Sequence, residues 1–197
     1  MYNNIDKRCI LIFPKFKNID LIQKIRNKYD PLANLIAPHI TLAFPFSDDI
    51  SNKELISKLN SLLKNFKPFT INFKGISLSH DNYIFLNCVK GNQEIIQLHD
   101  EIYNKILPNH LNKSIKYIPH ITLGQSSSIE KLNSFTCEFE SIVIEELDSF
   151  TYEFESIVDE ELDSFTYEFE SIVDDVSIEL IGKNGESILI KTINLGG

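Results

Sequence analysis

The sequence predicts an α+β fold: a bilobal, pseudo-twofold arrangement of antiparallel sheets with outer helices around a concave cleft. Three observations predict it. The pentapeptide Pro-His-Ile-Thr-Leu occurs twice, at Pro38–Leu42 and at Pro119–Leu123. Each copy closes a strand-helix-strand pattern, so the chain reads as two comparable halves. A length of 197 residues with 43% apolar content suits one well-buried core rather than two independent domains.

Taken in order, Arg8 to Phe13 is an apolar run of strand length. Asp20 to Tyr29 carries Leu21, Ile22 and Ile25 at helical spacing and stops near Pro31. The first pentapeptide strand runs from about Pro38 to Phe46. Ser47 to Ser51 supply capping side chains for an amphipathic helix over Asn52 to Phe66, whose apolar face is Leu55, Ile56, Leu59, Leu62 and Leu63, and Pro68 ends it. Phe69 to Leu78 and Tyr83 to Val89 alternate as antiparallel strands about a turn at residues 79–82. The second half begins with a helix over Asn92 to Leu107 and continues with the second pentapeptide strand, Lys116 to Gly124. A short helix is expected at Ile129 to Asn133. Val176 to Ile181 and Ser187 to Ile193 form a closing hairpin turned at Asn184-Gly185.

Within each pentapeptide strand the isoleucine and leucine project to one face while histidine and threonine share the other. His39 with Thr41 and His120 with Thr122 therefore converge on one cleft if the two strands are related by the pseudo-twofold axis. Two imidazoles titrating near neutrality and two hydroxyl donors are what acid-base chemistry on a phosphate requires. A single histidine after proline in a strand is usually a satisfied structural residue. Recurrence of the whole pentapeptide, with similar flanks, has no explanation in core packing alone.

With its flanks, the pair (Pro38-His39-Ile40-Thr41-Leu42-Ala43-Phe44-Pro45-Phe46 and Tyr117-Ile118-Pro119-His120-Ile121-Thr122-Leu123-Gly124-Gln125) resembles the two His-x-Thr motifs of the 2H phosphoesterase superfamily, in its 2'-5' RNA ligase-like group. The resemblance covers nearly the whole chain, from the strand at Cys9 to that at Ile193. It implies an active site between two lobes, His39 and His120 as catalytic acid and base, and Thr41 and Thr122 on the substrate phosphate. It implies a partner with a 2',3'-cyclic phosphate, at an RNA end or in a small nucleotide, with no metal or other cofactor called for. Hydrolysis is the expected reaction, since many ligases of this family carry arginine shortly after the second motif, where this chain has Gln125. Ligation at the same ends and a non-catalytic nucleotide- or RNA-end-binding module are the alternatives. Phe44, Phe46 and Tyr83 are candidate stacking surfaces for a base, although aromatic residues in strands more often belong to the core.

The net charge of −9 argues at first against a polyanionic partner. Its source is local. A 15-residue unit beginning at Leu132 recurs at Leu147 and Leu162, giving a tandem repeat within about 132–176 of the single domain 1–197. Residues 144–173 hold eleven acids and no base, so the remaining body carries +2. The first copy is expected to begin as the strand that the fold needs, with the extra material protruding. A silent duplication and an acidic arm for self-association or for a partner are the two readings of it; assembly through the repeats, with a vestigial catalytic body, is a further possibility. Cys9, Cys88 and Cys137 lie in apolar stretches without a close pair and read as buried thiols. The longest early apolar run is too short for a membrane span, and a cytoplasmic protein is expected. His80, His99 and His110 lack a comparable frame and read as surface or structural. Gly-rich phosphate loops, nucleophile elbows and dinucleotide fingerprints are absent from the sequence.

Overall fold

A computed structural model describes residues 7–79 and 81–125, the positions Phe135, Glu138, Phe139, Ser141 and Ile142, and residues 168–197. Eight strands and three helices occur among them: β1 (Arg8–Ile12), α1 (Ile19–Tyr29), β2 (Ile40–Phe46), α2 (Asn52–Leu63), β3 (Phe69–Leu78), β4 (Tyr83–Lys90), α3 (Asn92–Lys105), β5 (His120–Gln125), β6 (Phe169–Val173), β7 (Asp175–Ile181) and β8 (Ser187–Asn194). They build two four-stranded sheets, in the orders β2-β1-β7-β8 and β5-β4-β3-β6, with antiparallel pairing throughout. The α+β arrangement expected from the sequence is the one observed.

The two halves exchange supports. Strand β2 is an edge strand beside β1, and β5 is an edge strand beside β4. Helix α1, which follows β1, packs on β5, while α3, which follows β4, packs on β2. Each pentapeptide strand therefore rests on a helix of the opposite half. The helices are built for this. Leu21, Ile22 and Ile25 of α1 and Ile95, Leu98 and Ile102 of α3 are fully or almost fully buried, as their spacing requires. Helix α2 is capped by Ser51, whose hydroxyl accepts from Glu54 N at 3.2 Å, and packs on β8. Gly91 starts α3 with φ +77°, and a Cβ there would stand 2.5 Å from Thr70 O, so glycine alone fits. Both sheets contribute to one apolar cluster, from Ile10 and Ile40 to Phe73, Leu86 and Ile121.

The repeat departs from expectation. In the first copy, Phe135, Glu138, Phe139, Ser141 and Ile142 are helical, and it is the third copy that supplies the edge strand β6. The reason is its tether: only Asp174 separates β6 from β7, so the third copy reaches β3 without a long connection. The first copy instead places Phe135 against Tyr29, with ring centroids 4.7 Å apart, and Phe139 against Phe169 at 6.4 Å. The middle copy, the helix expected at Ile129 to Asn133, and Cys137 lie outside the described residues. Cys9 is buried and Cys88 partly so, and burial pushes both thiols up to about 12.

Candidate active site

The prolines set up the histidines. Pro38 and Pro119 have fixed φ, and the residues before them, Ala37 and Ile118, are biased to extended backbone. Each ring then folds back on the carbonyl two residues earlier: His39 Nδ1 lies 2.8 Å from Ala37 O, and His120 Nδ1 lies 2.7 Å from Ile118 O. A carbonyl can only accept, so Nδ1 carries the proton in both rings and the Nε2 lone pair of the neutral imidazole stays available.

Burial follows the predicted alternation. Ile40, Leu42, Ile121 and Leu123 are fully buried, whereas His39, Thr41, His120 and Thr122 retain partial exposure on the other face. Both strands also bulge at the same place. Ile10 pairs with Ala43 and Leu11 with Thr41, skipping Leu42; Ile84 pairs with Gly124 and Phe85 with Thr122, skipping Leu123. A bulge bends its strand and re-aims neighbouring side chains, and here it falls directly after the threonine of each motif.

Strands β2 and β5 approach each other, and the two rings are close enough for His120 to act electrostatically on His39. Desolvation holds the His39 pKa down to about 4; the bond to Ala37 O opposes this, while Arg26 and His120 add to the lowering and Asp30 offsets it. Desolvation also lowers His120, against the hydrogen bond to Ile118 O. Phe85 stacks on His120 with centroids 3.6 Å apart and 26° between planes, and Tyr83 lies parallel to Phe85 at 6.5 Å. Phe13 flanks His39 at 6.1 Å.

A brace that the sequence reading missed fixes the first motif strand. Tyr117 Oη donates to Thr41 O at 2.8 Å, His99 Nδ1 donates to Leu42 O at 2.8 Å, and Phe44 N donates to Tyr103 Oη at 3.1 Å. The His99 and Tyr117 rings stack at 3.7 Å and 3°. His99 is therefore a buried structural residue, and Tyr117, from the flank of the second motif, holds the backbone of the first. Its place in Tyr117-Ile118-Pro119-His120 was a signal in the sequence; nothing there marked Phe85.

Of the three stacking candidates, Phe44 and Tyr83 are exposed, but Phe46 is buried beneath the Arg8 guanidinium at 5.4 Å and beside the His110 ring at 5.5 Å, which closes it to a base. His110 pairs with Asp48 at 2.7 Å, a structural role.

A family model, the 2'-5' RNA ligase superfamily, matches residues 14–160. The chain belongs to that superfamily. A relative named as a phosphoesterase, from Bacillus pumilus (strain SAFR-032), is 33% identical over 125 residues, which cover 62% of this superfamily member and 71% of the relative. Another, from Bacillus licheniformis, is 32% identical over 126 residues, covering 62% and 72%. Escherichia coli LigT, solved with 3'-AMP, superposes with a TM-score of 0.61 at 15% identity over 96% of this chain and 98% of LigT. A Thermus thermophilus protein, TT0787, gives 0.60 at 12% identity over 97% and 98%. These structures share the fold of the superfamily member described here. No helix among the described residues is long and apolar enough to cross a membrane.

Proposed function

We propose that the protein is a phosphodiesterase that opens 2',3'-cyclic phosphates, at RNA ends or in small nucleotides, with His39 as general base and His120 as general acid. The observation that supports this most is the matched anchoring of two imidazoles: both give Nδ1–H to a carbonyl two residues back and keep Nε2 for proton transfer. His39, with its pKa near 4, stays neutral and takes a proton from water as the oxygen attacks phosphorus. His120, whose pKa burial also lowers, gains its proton beside the anionic substrate and gives it to the departing ribose oxygen. Thr41 and Thr122 donate to the non-bridging oxygens as charge builds. Tyr83 and Phe85 offer a face on which a base stacks. That LigT has been solved with 3'-AMP, ATP and NADP+ supports a nucleotide ligand here.

The test is hydrolysis of nucleoside 2',3'-cyclic phosphates and of an RNA with a cyclic end, by wild type, His39→Ala and His120→Ala. Both variants should lose at least about a hundredfold in kcat/KM, and the wild-type pH optimum should lie below about 6.5. An aryl phosphodiester, whose leaving group needs no protonation, should largely rescue His120→Ala and not His39→Ala. The reverse pattern would exchange the two roles. If a 5'-hydroxyl RNA is joined faster than the cyclic end is hydrolysed, ligation is the activity.

A further inference from the structure

Three strands of the second sheet bring an unassigned polar shelf to the side of His120. Asn87 of β4 lies directly opposite His120 of β5. On the other side of β4, Phe73 pairs with Cys88 and Ile76 with Leu86, so Lys74 and Gly75 together oppose the single residue Asn87. Two residues against one make a bulge, and it bends β3 next to the site. Phe73 and Leu86 point into the core, which leaves Lys74, Ser77 and Asn87 on the face that carries His120 and Thr122. The shelf has a fixed donor. The Ser77 hydroxyl donates to Asn87 Oδ1 at 2.7 Å, which turns Nδ2 and its two N–H donors the other way, and no acceptor among the described residues meets them. It also has room. Gly75 has φ +72°, and a Cβ built there would meet nothing nearer than Asn87 Nδ2, at 4.0 Å. The space over the amide is open, and any side chain at position 75 would fill it. Two ammonium groups border it. Lys74 is held by an exposed pair with Glu168 at 3.4 Å, and Lys90 forms no ion pair among the described residues; both are close enough to Glu168 to lower its pKa.

With the reacting ribose beside His120, as the proposed function has it, we propose that this shelf is a second phosphate subsite. It takes the phosphate on the 5' oxygen of the nucleotide whose cyclic phosphate is opened. A ribose has three groups to place. Its 2' and 3' oxygens go to the histidines and threonines, and its base goes to Phe85 and Tyr83, which run along β4 away from Asn87. The 5' oxygen is what remains, and Asn87 is the next outward position along β4 in the other direction. Strand spacing puts the shelf roughly 5–10 Å from His120, the scale of one ribose with its phosphate. An amide donor flanked by two ammonium groups recognises an anion in preference to a hydroxyl or a base edge. Glu168 does not oppose it, since its carboxylate is occupied by Asn72 Nδ2 at 2.6 Å and by Lys74.

Calorimetric titration with 3'-AMP and with adenosine 3',5'-bisphosphate reads the subsite without requiring turnover. The bisphosphate should bind wild type at least about tenfold more tightly. Asn87→Asp replaces the donors by a carboxylate of the same shape, and Gly75→Asn, which tolerates the positive φ, fills the space over the amide. In each, the ratio of the two affinities should fall below about twofold. Lys58→Ala, on α2, should keep the wild-type ratio, which separates the subsite from a general attraction to charge. A wild-type ratio near one, a ratio unchanged in both shelf variants, or no binding of either nucleotide overturns the subsite. If the ratio holds while cyclic phosphates are not hydrolysed, the subsite stands and the proposed reaction falls. A diester identifies the source of the phosphate. The dinucleotide ApA with a 3'-phosphate, bound as tightly as the bisphosphate, marks an RNA end as the ligand; bound no tighter than 3'-AMP, it marks a small nucleotide bisphosphate.

Discussion

Tyr117→Phe removes one hydroxyl and leaves the ring stacked on His99. What is lost is the 2.8 Å bond to Thr41 O, the carbonyl of a motif residue in an edge strand whose pairing to β1 is interrupted by a bulge at the next position. A part-buried carbonyl left without its donor costs about 1–2 kcal/mol. For a chain of this size that is a fall in Tm of roughly 3–6 °C. The consequence for activity is sharper, because the bond fixes the backbone from which the Thr41 hydroxyl and the His39 ring project. If a misplacement of a few tenths of an ångström weakens the phosphate contacts in the transition state, kcat should fall about tenfold with KM within about twofold. Tyr103→Phe is the control. It removes the acceptor for Phe44 N, a comparable bond further along β2, and should give a similar loss in Tm with kcat changed less than about twofold. Initial rates on a cyclic nucleotide and calorimetry on the same preparations provide the comparison. Equal kcat in Tyr117→Phe and wild type, alongside the expected loss in Tm, would refute the reasoning: β1 alone would then be sufficient to place the first motif.

Stability should also depend on pH through His39. The unfolded imidazole binds a proton near 6.5 and the folded one only near 4, so the unfolded state holds more protons between those values and stability falls as pH drops through that window. The loss is on the order of 2–3 kcal/mol for this group, and His39→Gln should flatten the difference between urea midpoints at pH 7.5 and 4.5. Gly124→Ala would put a Cβ 2.6 Å from Tyr29 Cβ and 2.7 Å from Tyr29 O, forcing α1 away from β5; destabilisation of about 2–3 kcal/mol is expected in chemical unfolding. Asp30→Ala would strand the buried Arg26 guanidinium, now paired at 2.8 Å, at a cost of about 3–5 kcal/mol, whereas Lys58→Ala, which breaks an exposed pair on α2, should change stability by less than about 0.5 kcal/mol.

Most of the architecture was legible because its signals are local. Period-2 and period-3.6 patterns placed the strands and the three helices to within a few residues, since each buries a single face. The His-x-Thr pairs were legible because a two-residue offset along a strand fixes a shared face whatever the tertiary context. Three features were not. The bulges at Leu42 and Leu123 depend on the register with β1 and β4, which no single segment encodes. That Phe46 lies in the core is what a strand aromatic usually does, but its cover, Arg8 from β1 and His110 from the loop after α3, is tertiary. The repeat defeated periodicity for a physical reason: Phe135 and Phe139 suit a helix at four-residue spacing, while Phe169, Ser171 and Val173 suit a strand at two, and one sequence carries both patterns. Tether length then decides between them.

The crossing of supports between halves has a practical side. A cut in the turn between Ser79 and Asn82 would leave β1, α1, β2, α2 and β3 on one fragment and β4, α3, β5 and the remainder on the other. Each piece would own one motif histidine but lack the helix on which its motif strand rests, and the sheet partners β3 and β4 would be on different pieces. Neither fragment is self-sufficient, and the pair regains both imidazoles only on assembly. Catalytic turnover would thus become a meter of association, and fusing the pieces to two other proteins would report whether those proteins meet.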